Sequence, residues 1–409
     1  MIKTLHSPET SGCIKAINSK SEAHRVLICA ALSDKRTEIR CESINEDITA
    51  TADCLKALGA DISFSDGAFT VEPINNPEKA AVLPCNESGS TLRFLLPLVS
   101  AFGGEYEFHT NGRLSQRPLS PLKEELQKGG TVISVRDNRI CVSGCCNSDE
   151  FTIEGNISSQ FISGLMFMLS LTGGKITVTG SIESRPYIEM TADALKEFGC
   201  NISFIDNVIT VPKTHPLISP EKTEINGDWS NAAFFITAGV IGKKAITVTG
   251  LDFNSRQGDK AIITVLRKLG AKIEVTENSV TAFPSSLHGT EINAKDIPDL
   301  VPVLSVAAAN AEGETRITAC ARLRLKESDR IETVKEMIIA LGGKISVEND
   351  SLIINGFPLT GGSVDSKNDH RIAMSAAVAA FSAKNAVTVI NAEAVNKSYP
   401  RFWDEIKEE

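Results

Sequence analysis

"LKALGADISFSDGAFTV", residues 55–71, reads as a helix end, a glycine, an alternating strand, a turn and a second strand. The same order returns in "LQKGGTVISVRDNRICV" (126–142), "LKEFGCNISFIDNVITV" (195–211), "LRKLGAKIEVTENSVTA" (266–282) and "IALGGKISVENDSLIIN" (339–355). The aligned glycines are Gly59, Gly129, Gly199, Gly270 and Gly342, at separations of 70, 70, 71 and 72 residues. Such a period makes the repeat, rather than the chain, the folding unit. Glycine suits the position because a chain leaving a helix there passes through left-handed dihedrals that a Cβ disfavours.

A second series alternates with the first. Polar residues open apolar helices at Ser19–Ser21, Ser88–Ser90, Ser158–Ser159, Ser230–Asn231, Asp299 and Asn368–Asp369. Those helices, among them "TLRFLLPLVSAF", "QFISGLMFMLSL" and "HRIAMSAAVAAF", are apolar nearly all round and should be buried. Six openings against five glycine copies leave one repeat incomplete. It is expected to be split across the termini, with "IKTLHS" and "GCIKAI" supplying strands and "YPRFWDEIKEE" a second helix. The length of 409 residues also exceeds one comfortable core. The fold expected is α/β, with two pseudo-threefold domains of three repeats each: residues 1–18 with 228–409, and residues 19–227. A cleft between two domains, approached by the N-termini of buried helices, suits a polyanionic ligand.

The bulk properties exclude other classes. A net charge of −9 argues against nonspecific nucleic-acid binding, which favours a basic surface. No apolar run approaches the roughly 20 residues needed to span a bilayer. "MIKTLHSPETSG" has no apolar signal region, so export is not expected. The ten cysteines are scattered without CxxC or zinc-type spacing, as for reduced thiols in the cytoplasm.

In this acidic chain, cations gather at the element junctions. "SKSEAHR" puts Lys20 between Ser19 and Ser21, with Arg25 one turn later. Taken alone this stretch reads more simply as a helix cap with two solvated cations. Arg93 lies one turn into "ESGSTLRF", and Arg117 precedes a proline in "RLSQRP". "LKESDR" groups Lys326, Glu327 and Arg330; "NDHR" holds His370 and Arg371; "NKSYP" holds Lys397 before the expected C-terminal helix. Singly each is a surface or helix-dipole charge; jointly, at equivalent points of a repeat, they suit one anionic ligand. "SSQF", residues 158–161, offers two hydroxyls and an amide at a helix start. Asp299 in "IPDL" is either an N-cap or, with Glu327, half of an acid–base pair amid positive charge. No GxxxxGK[ST], GxSxG or HExxH is present.

Together "SKSEAHR", "ESGSTLR", "RLSQRP", "SSQF", "RPYIE", "IPDLVP", "LKESDR", "NDHR" and "NKSYP", spanning residues 19–400, resemble the 5-enolpyruvylshikimate-3-phosphate synthase family. The resemblance implies two domains of three βαβαββ units closing on the substrates. It implies transfer of the carboxyvinyl group of phosphoenolpyruvate to the 5-hydroxyl of shikimate 3-phosphate, with release of phosphate. Lys20 would touch both substrates. Ser21, Arg25, Ser158, Ser159, Gln160, Ser184, Tyr187 and Lys326 would hold shikimate 3-phosphate. Gly89, Arg117, Gln160, Arg330, Arg371 and Lys397 would hold phosphoenolpyruvate. Asp299 would bind the acceptor hydroxyls and take the attacking proton, while Glu327, with Lys20, would deliver a proton to the methylene carbon. No metal or organic cofactor, nucleic acid or membrane partner is implied, and the expected enzyme is a cytoplasmic monomer.

The chain departs from the family pattern in places. "INSKS" replaces the usual Pro-Gly before the lysine motif, Glu87 stands where asparagine is common, and Arg185 where lysine is. The sister UDP-N-acetylglucosamine enolpyruvyl transferase is the alternative enzyme. Its loop carries a cysteine where this chain has Gly112, and "SSQF" and "KESDR" fit it less well. A noncatalytic anion-binding protein on the same repeat is the alternative outside catalysis; keeping both Asp299 and Glu327 argues against it.

Overall fold

The computed structural model describes residues 1–10 and 12–407. The chain forms two compact units, one of residues 1–17 with 226–409 and one of residues 18–225. Each has its own apolar core.

The period of the sequence becomes a period of sheets. In residues 18–225, Ala80–Asn86 and Gly104–Thr110 run parallel, and the hairpin Val132–Arg136/Arg139–Gly144 continues the sheet antiparallel. Glu150–Glu154, Gly174–Thr179 and the hairpin 203–211 repeat that arrangement. So do Lys222–Glu224, Thr37–Arg40 and the hairpin 61–72. The other unit holds two more copies, built on Cys13–Lys15 with Ile246–Thr249 and on Glu291–Asn293 with Glu314–Thr318. Its third copy has three strands, Gly362–Asp365, Val387–Ile390 and the N-terminal Ile2–Leu5. Each sheet therefore begins with a parallel pair, and the parallel pair needs a crossover helix.

Those crossover helices carry the core. Lys20–Ala31, Gly89–Phe102, Ser159–Thr172, Trp229–Ile241, Val301–Ala309 and His370–Ala379 are buried along most of their length. The strands alternate instead, as in Glu150–Glu154, where only Phe151 and Ile153 are buried. Helices lie inside and half-buried sheets outside, the inverse of the usual α/β layering.

Three expectations need correction. "GCIKAI" does not join the split repeat: Cys13–Lys15 pairs with Ile246–Thr249, in the sheet of the helix Trp229–Ile241. Reciprocally, Lys222–Glu224, which precedes that helix in sequence, pairs with Thr37–Arg40 in the other unit. At both crossings the strand before the helix pairs within the unit that the chain is leaving. The C-terminal segment forms two short 3₁₀ turns, Ala392–Lys397 and Phe402–Glu405, rather than a helix. Tyr399 and Phe402 pack on each other and on Phe235, and Trp403 packs on Phe402, so ring packing, not helix periodicity, holds this segment. Finally, Gly129 keeps a right-handed backbone (φ −75°), and Gly130, at φ +108°, takes the left-handed place. The helix Leu122–Lys128 runs one residue further than the alignment implied.

Candidate active site

In the unit of residues 18–225 the candidate residues stand at three helix starts. Ser19 caps Lys20–Ala31 by accepting from the Glu22 amide, which leaves Lys20 and Ser21 in the first turn. Lys20 is not solvated: its Nζ lies 2.7 Å from Asp47 Oδ2, with both side chains 15% exposed. Arg25 is buried and donates to Thr191 Oγ1 and to the carbonyls of Ser21 and Tyr187. Its guanidinium lies 4.9 Å from the Phe94 ring centroid. Burial pulls its pKa down to about 10, still well above neutrality. The opening "SKSEAHR" is thus both a cap and a seated pair of cations, and the simpler solvated reading fails.

Gly89 opens the next helix behind the cap Ser88. A Cβ at Gly89 would sit 2.6 Å from Arg93 Nη1 and 2.7 Å from Arg117 Nη1. Two guanidinium groups therefore close on this one backbone position, and glycine is what admits them. Arg93 also donates to Gln160 Oε1 (3.3 Å), and Gln160 Nε2 donates to Ser90 Oγ (2.9 Å). Ser158 caps the third helix by accepting from the Gln160 amide. Ser184 precedes Arg185–Glu197 in a left-handed conformation (φ 54°), and Tyr187 in that helix meets Arg25 through its carbonyl. Gly112 packs on Glu87: a Cβ there would lie 2.8 Å from the carboxyl carbon, on a backbone at φ +56°. A cysteine at this position would meet both obstacles.

In the other unit the candidate groups form an ion cluster. Arg330, 1% exposed, clasps Asp369 with Nε (2.8 Å) and Nη2 (3.2 Å). Its Nη2 also meets Glu327 Oε2 at 2.7 Å and its Nη1 meets Asp299 Oδ1 at 2.7 Å. Lys326 Nζ approaches the same Asp299 oxygen at 3.1 Å, and Arg371 Nη2 approaches Asp299 Oδ2 at 3.4 Å. Arg371 Nη1 donates to the Asp299 carbonyl as well. Lys397 stands one step away, donating to the Asn368 carbonyl.

The cap reading of Asp299 fails here. Pro298–Leu300 is a 3₁₀ turn without a side-chain cap, and Val301–Ala309 likewise has none. The capping carboxylates are Asp329, before Arg330–Ala340, and Asp369, before His370–Ala379. Burial works to raise the Asp299 pKa, but Arg371, Lys326 and Arg330 outweigh it and hold the group well below the usual carboxylate range. Burial lowers the Lys326 pKa, partly countered by Asp299. Arg330 is held above its usual value, because Asp369, Glu327 and Asp299 overcome the desolvation.

Sequence reasoning missed Asp47, Thr191, Asp369 and Asp259. Asp47 lies in the first turn of Glu46–Ala57 and Asp369 caps His370–Ala379, and only tertiary contact makes them partners of Lys20 and Arg330. Asp259, fully buried, accepts from Ser230 Oγ through Oδ2 while its Oδ1 has no partner. Burial, then the nearby Asp299 charge, push its pKa up to about 6. No grouping of His, Cys, Asp and Glu suited to a metal occurs among the described residues.

Residues 6–406 match the family model of EPSP synthase (3-phosphoshikimate 1-carboxyvinyltransferase). The chain belongs to the EPSP synthase family. A 3-phosphoshikimate 1-carboxyvinyltransferase of Clostridium perfringens is 39% identical, covering 100% of this chain and 98% of that protein. The Clostridioides difficile protein of the same name is 36% identical over 98% of this chain and 96% of its own length. Among solved structures, EPSP synthase from Acinetobacter baumannii superposes with a TM-score of 0.80 at 23% identity, covering 98% of this chain and 96% of that one. The enolpyruvyl transferase NikO from Streptomyces tendae gives 0.78 at 17%, covering 99% and 96%, which speaks for the fold. This family member is accordingly a transferase, moving the enolpyruvyl group of phosphoenolpyruvate to shikimate 3-phosphate in aromatic amino acid biosynthesis. Its fold is the two-unit enolpyruvyl transferase type with six repeats.

Proposed function

We propose that the two sets of groups act on one pair of substrates, with Asp299 as base and Glu327 as acid. Lys20, Ser21, Arg25, Ser158, Ser159, Gln160, Ser184, Tyr187 and Lys326 hold shikimate 3-phosphate. Gly89, Arg117, Gln160, Arg330, Arg371 and Lys397 hold phosphoenolpyruvate, whose carboxylate and phosphate suit paired arginines. Glu327, aided by Lys20, protonates the methylene carbon as the 5-hydroxyl attacks the neighbouring carbon and yields its proton to Asp299. The tetrahedral ketal then loses a proton from the new methyl group and expels phosphate, whose charge the fixed cations stabilise. The chain works as a monomer in the cytoplasm; among the described residues no helix is long and apolar enough to cross a membrane.

The observation that carries this reading is the pair of carboxylates, Asp299 and Glu327, held by the same guanidinium at 2.7 Å each. Arg330 also clasps the fully buried Asp369, so Asp299 and Glu327, each about a quarter exposed, are the two carboxylates of this cluster open to a substrate. Phosphate release with phosphoenolpyruvate and each acceptor in turn tests it. Release with shikimate 3-phosphate and none with UDP-N-acetylglucosamine is expected; the reverse overturns the substrate assignment.

A further inference from the structure

In the free protein Asp299 is a poor base. Its two carboxylate oxygens face Lys326 at 3.1 Å, Arg330 at 2.7 Å and Arg371 at 3.4 Å. A carboxylate in that setting binds a proton only by giving up part of three ion pairs. Yet the proposed reaction asks it to take one. Arg330 shows how the conflict is resolved. One edge of its guanidinium, Nε and Nη2, is spent on Asp369, whose carboxylate is fully buried and also accepts from Ser328 Oγ and the Arg371 amide. The Asp369 clasp is fixed on every side. Nη1 is different, because its partner Asp299 is 24% exposed and can be displaced.

We propose that the anionic substrate unmasks the base: phosphoenolpyruvate competes with Asp299 for Arg330 Nη1 and Arg371, and so releases Asp299 to accept a proton. Asp369 is then the positioning residue, gripping Arg330 through Nε and Nη2 so that Nη1 is left to the displaceable Asp299. The proposal rests on the assignment of Asp299 as base. All charges facing Asp299 act in the same sense on anion binding. Arg330 and Arg371 are drawn off toward the ligand while Lys326 stays, and the ligand's own charge adds to those of Glu327, which shares Arg330, and of the buried Asp259. Both effects raise the affinity of Asp299 for a proton. The base becomes competent only when the donor is in place, which guards against idle proton transfer.

Carboxyl-¹³C-aspartate labelling tests this, with the Asp299 resonance identified by its disappearance in Asp299→Asn. Without ligand, the resonance should stay ionised from pH 8 to pH 5. With saturating phosphoenolpyruvate and no acceptor, so that no turnover occurs, it should titrate at higher pH. An identical pH response with and without ligand overturns the proposal. Calorimetry on the same sample separates the two readings: absence of phosphoenolpyruvate binding refutes the site assignment itself. The second arm is Asp369→Asn, which keeps an acceptor for the Arg371 amide but removes the charge opposite Arg330. KM for phosphoenolpyruvate should rise roughly 10- to 100-fold, as for loss of a charged hydrogen bond. A fall in melting temperature with KM unchanged assigns Asp369 to the fold alone and refutes its positioning role.

Discussion

Asp299→Asn separates chemistry from structure most sharply. Asparagine keeps the size and one acceptor oxygen, so Arg330 retains a hydrogen bond, but the charge opposite Lys326, Arg330 and Arg371 is gone. The cap contributes nothing to the cost, because Asp299 caps no helix. What is lost is the charge-assisted part of the cluster, about 1.5–3 kcal/mol. The partial exposure of Asp299, 24%, argues for the lower end of that range, since water screens what remains. For a unit of this size about 2–4 °C accompanies each kcal/mol, so at the lower end the melting temperature should fall by roughly 3–6 °C and the protein should remain folded at 25 °C. Turnover should suffer far more. An amide cannot take the 5-hydroxyl proton, and loss of a general base costs about 10²- to 10⁴-fold, or roughly 2.7–5.4 kcal/mol of barrier. The assay is phosphate release at saturating substrates, corrected for folded protein by calorimetry, beside the affinity for shikimate 3-phosphate, which should change little. Turnover near wild type would refute the assignment of the base. An unchanged melting temperature would refute the claim that the cluster needs this charge.

Gly89→Ala should leave the fold intact, because the atoms it meets at 2.6 and 2.7 Å are the mobile ends of Arg93 and Arg117. Displacing them should raise KM for phosphoenolpyruvate roughly 10- to 100-fold; KM within error of wild type would disprove the cradle. Arg25→Lys should weaken shikimate 3-phosphate binding by at least about tenfold in calorimetry, since one ammonium cannot replace a guanidinium bonded to Thr191 and two carbonyls. Retained affinity would make Arg25 a packing residue only. Asp259 predicts a pH effect on stability. Its folded pKa of about 6 lies above the ordinary aspartate value of 3.8, so the folded state binds the extra proton between those values and stability falls as pH rises through them. Asp259→Asn should therefore raise the melting temperature at pH 7.5, by at most about 3 kcal/mol in stability, and change it little at pH 4. Equal shifts at both values would show that the group does not titrate.

Much of the fold was legible because burial repeats with the chain. Glycine at a helix exit and serine at a helix entry are local requirements, met within a few residues, and their period counts the repeats directly. Where the same signals were ambiguous the reading slipped. "KGG" offers two glycines, and the helix Leu122–Lys128 used the second for its left-handed exit. Strand partners are harder still. Cys13–Lys15 and Lys222–Glu224 each precede an apolar helix and carry no signal that they pair in the other unit. Register and partner are decided by which parallel edge is open, and that exists only after collapse.

The site divides in the same way. Residue types at the helix starts are a local matter, so Lys20, Arg25, Arg117, Glu327, Arg330 and Arg371 could be named from their motifs. What each one faces could not. Asp47 against Lys20 and Asp369 against Arg330 are separated by 27 and 39 residues in the chain, and nothing in either segment encodes the pairing. Sequence by itself determined the repeat, the buried helices and the inventory of charges, because each follows from side-chain chemistry at short range. Tertiary structure alone decided that Asp299 is an ion-paired carboxylate rather than a cap, because coulombic energy depends on distance in space and its three cations reach it from two segments distant in the chain, Lys326 with Arg330 and Arg371.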